Sequence, residues 1–133
     1  MEKKRYFTLE EANSQIPWLA ERVRRIAEVT GDLARLRREL DAIVRQSRGN
    51  GHSGVDQELA AKRRETEVIV DRLAQFTHEV DALGIILRDL DRGLVDFPSL
   101  RDDREVYLCW LAGEERIDFW HEVDTGFTGR QPL

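Results

Sequence analysis

The segment "VDALGIILRDLDRGLVD", Val80 to Asp96, holds the change of pattern that decides the fold. Up to Leu83, apolar residues recur every three or four positions, the period of one helix face. Beyond Gly84 they run in short blocks bounded by Asp, Arg and Gly, the pattern of strands. Gly84 stands where a helix favours a residue free to take positive φ, so a helix is expected to end there. The chain before this point reads as helix and the chain after it as sheet.

Backwards from Leu83, the apolar stripe is Val55, Leu59, Lys62, Thr66, Ile69, Leu73, Phe76, Val80 and Leu83. An earlier stripe runs through Leu9, Ala12, Ile16, Leu19, Val23, Ile26, Leu33, Leu40 and Val44, with Thr30 and Arg37 in two of its slots. Both keep the alternating spacing of a coiled-coil seam. Thr8 and Glu11 have the spacing of a capping box at the start of the first helix. Pro17 removes a helix hydrogen bond. It predicts a kink over residues 13–17, or a break with Pro17 opening a second segment. Gly31 weakens the helix locally.

Between the stripes, "SRGNGHSG" (Ser47 to Gly54) reads as a flexible turn with His52 exposed. It lacks the Gly-Lys-Ser/Thr ending of a phosphate-binding loop. Folding back there sets 44 opposite 55, 40 opposite 59, 33 opposite 66, 26 opposite 73 and 19 opposite 80, an antiparallel helical hairpin over residues 8–84 with its loop at 47–54. Arg37 then faces Lys62 on the seam. Either both snorkel outward, or Glu39, Asp41, Glu58 or a second subunit supplies the opposite charge.

Forwards from Gly84, "IILRDL", "EVYLCWL" and "RIDFWHE" read as strands, with a short extended "LVDF" ahead of Pro98 and "LAGEER" as a turn. Centred on that turn, the hairpin pairs Trp110 with Ile117, Leu108 with Phe119 and Val106 with His121 on the core face. Cys109 with Asp118 and Tyr107 with Trp120 fall on the other. Large apolar groups on both faces require two covers: the helical hairpin, and either the C-terminal tail or another subunit. The expected architecture is a single α+β domain over residues 1–133. A long antiparallel helical hairpin is followed by a small three- or four-stranded antiparallel sheet, with the meander and tail in residues 85–133. The two-faced sheet and the polar gaps in the seam predict a homodimer.

The 133 residues suit one domain, and a charged fraction of 35% beside 41% apolar residues suits long solvated helices. Net charge is +3 over residues 1–54, −3 over 55–84 and −5 over 85–133. That distribution argues against nucleic acid as the default partner. RNA binding would have to use the arginines of the first helix, Arg22, Arg25, Arg35, Arg38 and Arg45. A single cysteine excludes an intrachain disulfide, and "MEKKRYFTLEE" has no apolar signal core. With no run of about 18 apolar residues, no membrane span is expected. A soluble, cytoplasmic protein is the simplest expectation.

Chemistry-bearing residues gather late in the chain: Asp89, Asp91, Asp96, His121, Glu122, Asp124 and Arg130. Carboxylates with one histidine suit a divalent metal. The expected set is His121, Asp124 and Glu122 with Asp89, Asp91 or Asp96 at one end of the sheet. Yet His121-Glu122-Val123-Asp124 lacks the second histidine of the zinc-protease motif. "DLDRGLVDFPSL" has Leu94 and Leu100 where a calcium loop needs Gly and Glu. The plain alternative is that these acids cap turns. Arg130 can clamp an anionic ligand, or can dock the tail onto Asp89, Asp91 or Asp96. Trp120 is a core residue or a ligand platform. Cys109, between Leu108 and Trp110, reads as a small buried hydrophobe, and His78 as exposed.

Four stretches, "YFTLEEAN", "DLDRGLVDFP", "VYLCW" and "FWHEVDTGFTGRQPL", resemble a bacterial family known as domain of unknown function 2203. The resemblance covers essentially the whole chain. It implies a fold and a set of motif residues, not an activity. Two functions stay open. One is a non-enzymatic interaction or scaffold protein, acting as a homo-oligomer or with an unknown protein partner. The other is a small metal- or anion-binding protein or enzyme centred on the C-terminal motif.

Overall fold

The computed structural model describes residues 5–47 and 54–133. Residues 48–53 of the expected turn, His52 among them, lie outside the described residues. Among the described residues three helices come first: α1 (Leu9–Ser14), α2 (Ile16–Ser47) and α3 (Val55–Ala82). Thr8 caps α1. Its hydroxyl accepts from the Glu11 N–H at 3.0 Å, and the Glu11 carboxylate accepts from the Thr8 N–H at 3.1 Å. These bonds hold the Glu11 carboxyl below its usual range. The break falls at Gln15, and Pro17 becomes the second residue of α2, where a missing N–H leaves no bond unmade. α2 runs unbroken through Gly31.

The seam departs from the expected register beyond Ile26. α2 buries Val29, Leu36 and Ile43, each one residue before Thr30, Arg37 and Val44. Burying Val, Leu and Ile removes more apolar surface from water than burying Thr, Arg and Val. Arg37 is therefore exposed, and the expected Arg37–Lys62 opposition does not occur. Lys62 is half-buried and meets Glu39 instead, Nζ to Oε2 at 2.8 Å. On α3 the stripe is as read: Phe76 and Val80 are buried, and the other stripe residues from Val55 to Leu83 are half-buried. Gly84 takes φ +83° and donates its N–H to the Asp81 carbonyl, closing the helix.

Five antiparallel strands follow in meander order: β1 (Ile86–Asp89), β2 (Leu94–Arg101), β3 (Arg104–Leu111), β4 (Phe119–Glu122) and β5 (Gln131–Pro132). The fold is α+β with one more strand than the upper expectation. β2 passes straight through Pro98. β1 pairs β2 only over residues 94–96, so beyond that point one side of β2 is a sheet edge. Pro98 turns its carbonyl to that edge and accepts from the Phe7 N–H at 2.7 Å. Its nitrogen faces the same way, where no ladder bond is lost. The β2–β3 turn places Asp102 and Asp103 at φ 51° and 62°, the left-handed pair of a tight hairpin.

The β3–β4 pairing is offset by one residue from the expected register. Val106 pairs with Glu122, Tyr107 with His121, Leu108 with Trp120 and Cys109 with Phe119. The connection is longer than "LAGEER". Glu114 folds back so that its carboxylate accepts from the Leu111 N–H, and its carbonyl accepts from Trp110 Nε1. Ile117 is held outside the ladder, its N–H donated to the Asn13 side chain of α1 at 2.8 Å. A shift of one residue exchanges the two faces of a strand. Val95, Phe97, Val106, Leu108, Trp110 and Trp120 accordingly pack against Phe7, Ile16, Leu19, Val23 and Val80 in the main core. His121, expected on that core side, lies on the opposite face. No helix among the described residues is long and apolar enough to cross a membrane.

Candidate functional site

The face turned away from the helices carries the chemistry. Asp96 lies between Val95 and Phe97, and Cys109 between Leu108 and Trp110. Because alternate residues point to opposite faces, both are turned away from the core. His121, beside core residue Trp120, joins them. Asp96 pairs with Cys109 across β2–β3, and Tyr107 with His121 across β3–β4. Asp96, Cys109 and His121 are 3%, 0% and 2% exposed, and their ligating atoms lie within 4.8 Å of one another.

The Asp96 carboxylate is shared. Arg88 Nε donates to Oδ2 at 2.9 Å, and Oδ1 lies 2.9 Å from His121 Nε2. The other imidazole nitrogen, Nδ1, lies 2.7 Å from the Glu122 carbonyl. A carbonyl can only accept, so Nδ1 carries a hydrogen. Burial alone would lower the Arg88 guanidinium, but its hydrogen bond to Asp96 and that carboxylate's charge outweigh it and hold it above its ordinary value. Arg88 also stands over the Tyr107 ring, 5.0 Å from its centroid. Burial, seconded by the Asp96 charge, pushes the Cys109 thiol up to about 12. A thiol held there is a poor nucleophile at neutral pH.

The C-terminal tail packs against this face at Phe119. Gly126 turns the chain at φ +65° into a short 3-10 helix, Phe127–Gly129, and β5 then pairs with β4. Arg130 lies between aromatic rings, its guanidinium carbon 4.1 Å from the Phe119 centroid and 4.9 Å from that of Phe127. One of its nitrogens donates to both oxygens of Glu114, at 2.8 and 3.0 Å. The tail docks as expected, but onto Glu114 rather than Asp89, Asp91 or Asp96.

The other expected site residues disperse. Glu122 pairs with Arg104 at 2.7 Å. The Asp89 carboxylate accepts from the N–H groups of Asp91 and Arg92 in a turn, and Asp91 is exposed. Asp124 is exposed. Trp120 is a core residue, 7% exposed, with Arg101 stacked over it at 4.4 Å. His78 is exposed, as read. Of the expected ligands only Asp96 and His121 converge, and they converge with Cys109. The repeated arrangement Val-Asp-Phe and Leu-Cys-Trp was the available signal. A polar or reactive residue between two large apolar ones must face away from them.

A family profile described as an uncharacterized conserved protein (DUF2203) matches residues 5–133. No curated protein and no solved structure matches the chain.

Proposed function

Since the chain belongs to DUF2203, a family of uncharacterized conserved proteins, we propose that it is a non-enzymatic interaction protein that acts as a homodimer joined along α3. The carrying observation is the outer surface of that helix. Two helices share only one seam, and within α3 only Phe76 and Val80 are buried. On the side away from the seam Val68 is 56% exposed. A shallow groove of about 410 Å³ is lined by Ala61, Arg64, Glu65, Val68 and Ile69. The tail packs Phe127 and Arg130 beside Phe119 on the second face of the sheet, and support for the dimer comes from the hairpin.

The groove is self-complementary. An antiparallel two-fold axis centred between Arg64 and Glu65 sets Arg64 opposite Glu65 of the partner subunit, twice, and Ala61 opposite Val68 of the partner subunit. Apolar contacts then lie beside two opposite-charge pairs, which suits an interface formed by one patch on both copies. The non-enzymatic part rests on the buried, protonated Cys109 thiol and on the tail that packs against the polar face. Two engineered cysteines test the arrangement. Ala61→Cys with Val68→Cys brings the new thiols together across the axis. Val68→Cys alone leaves them about 10 Å apart along the helices, beyond the roughly 7 Å that a disulfide spans between Cα atoms. Mild oxidation should link the double variant covalently and leave the single variant unlinked on a non-reducing denaturing gel. A double variant that stays unlinked refutes the axis.

A further inference from the structure

We propose that Asp96, Cys109 and His121 form a binding site for one divalent transition-metal ion, zinc foremost, on the face of the sheet turned away from the helices. Three adjacent strands supply one ligand each, as β2 gives the carboxylate, β3 the sulfur and β4 the imidazole. The orientation of His121 carries the argument. With Nδ1 committed to the Glu122 carbonyl at 2.7 Å, Nε2 faces Asp96 Oδ1 at 2.9 Å, and in the neutral ring it turns a lone pair toward that oxygen. Two electron-rich atoms held face to face in a buried site call for a cation between them, a proton or a metal ion. The Cys109 sulfur beside them selects which metals suit.

The supporting contacts are those of a ligand set. A metal-bound imidazole characteristically donates its other N–H to a carbonyl or carboxylate, which fixes ring and tautomer. Glu122 O does this here. Arg88 holds Oδ2 and leaves Oδ1 for the ion. Zinc bonds to sulfur at about 2.3 Å and to nitrogen or oxygen at about 2.0–2.2 Å, so tetrahedral ligands sit roughly 3.3–3.8 Å apart. Ligating atoms within 4.8 Å of one another reach that spacing by small side-chain movements, with Nε2 and Oδ1 separating by about half an ångström and the sulfur closing by at most about 1 Å. One sulfur, one nitrogen and one oxygen suit zinc or cobalt and do not suit magnesium or calcium, which require oxygen cages.

Charge balances as well. Binding displaces the thiol proton and the proton shared by Asp96 and His121, and both leave to solvent. Thiolate and carboxylate then neutralise the dication, with Arg88 outside the ligand set. Three protein ligands leave a fourth position for water or an added ligand.

Cobalt(II) titration of the full chain, stripped of metal with a chelator, tests the site optically. The expected result is one equivalent bound per chain, with thiolate-to-cobalt charge-transfer absorption in the near-ultraviolet that is lost on adding zinc. Asp96→Asn, a substitution of equal volume, should weaken binding by at least tenfold, and Cys109→Ser should remove the charge-transfer band. The wild-type spectrum alone is decisive should either variant fold poorly. Absence of binding, or binding without the sulfur band, overturns the proposal, because cobalt on surface carboxylates gives no such absorption.

Discussion

Arg130 donates from a single nitrogen to both carboxylate oxygens of Glu114, at 2.8 and 3.0 Å, while its guanidinium is sandwiched between Phe119 and Phe127. The same Glu114 accepts from the Leu111 N–H. One ion pair thus ties the last residues of the chain to the connection that sets the β3–β4 register. Arg130→Ala should destabilise the fold by about 2–4 kcal/mol, since it leaves a half-buried carboxylate short of a donor and removes two ring contacts. Arg130→Lys should recover less than half of that loss, because an ammonium has no planar face to stack. Denaturant unfolding of the three proteins measures both.

The β2–β3 hairpin turns through two aspartates at positive φ. A left-handed conformation costs a non-glycine residue on the order of 1 kcal/mol, and the second position of such a turn favours glycine. Asp103→Gly should therefore raise stability by roughly 0.5–1 kcal/mol. A variant that melts below the parent contradicts the assignment of the turn.

Gly93 is fixed for a different reason. It takes φ +68°, and a Cβ there would lie 2.6 Å from the Ala112 Cβ and 2.7 Å from Val23 Cγ1. Gly93→Ala should lose about 2–3 kcal/mol from strain and overpacking together. Gly113→Ala provides the comparison: it shares the positive φ but meets open space, and should lose less.

The Lys62–Glu39 pair predicts a pH dependence. The Lys62 hydrogen bond holds the Glu39 carboxyl below its usual range, and Glu39 in turn holds the Lys62 ammonium above its own. A lowered acid contributes stability above its unfolded value and loses it as pH falls through the folded one. A raised base contributes below its unfolded value and loses stability as pH rises through the folded one. The pair is therefore intact between about pH 5 and pH 10. Glu39→Gln should flatten the acid-side fall in melting temperature, which the parent shows more steeply. Identical acid limbs would mean the contact contributes nothing.

Legibility differed along the chain for physical reasons. Capping at Thr8, the break before Pro17 and the stop at Gly84 depend on neighbouring residues alone, so local patterns revealed them. The seam beyond Ile26 was ambiguous because Thr30, Arg37 and Val44 keep the same spacing as Val29, Leu36 and Ile43. The second set is wholly apolar, and area burial selects it. Pro98 masked half of β2, since its tolerance depends on the distant Phe7. His121 falls on the face opposite to the expected one because the β3–β4 register depends on Glu114, Asn13 and Arg130, contacts 3, 104 and 16 residues apart in the chain. Cys109, flanked by Leu108 and Trp110, has the pattern of a small buried hydrophobe, and its burial agrees. Its neighbours Asp96 and His121 became visible only with the register.

Light scattering on the purified chain at low micromolar concentration tests the homodimer most directly. The account predicts a mass about twice the 15.5 kDa of one chain, reduced to a single-chain mass by Val68→Glu with the helical content unchanged. A wild-type protein at single-chain mass across that range would contradict it.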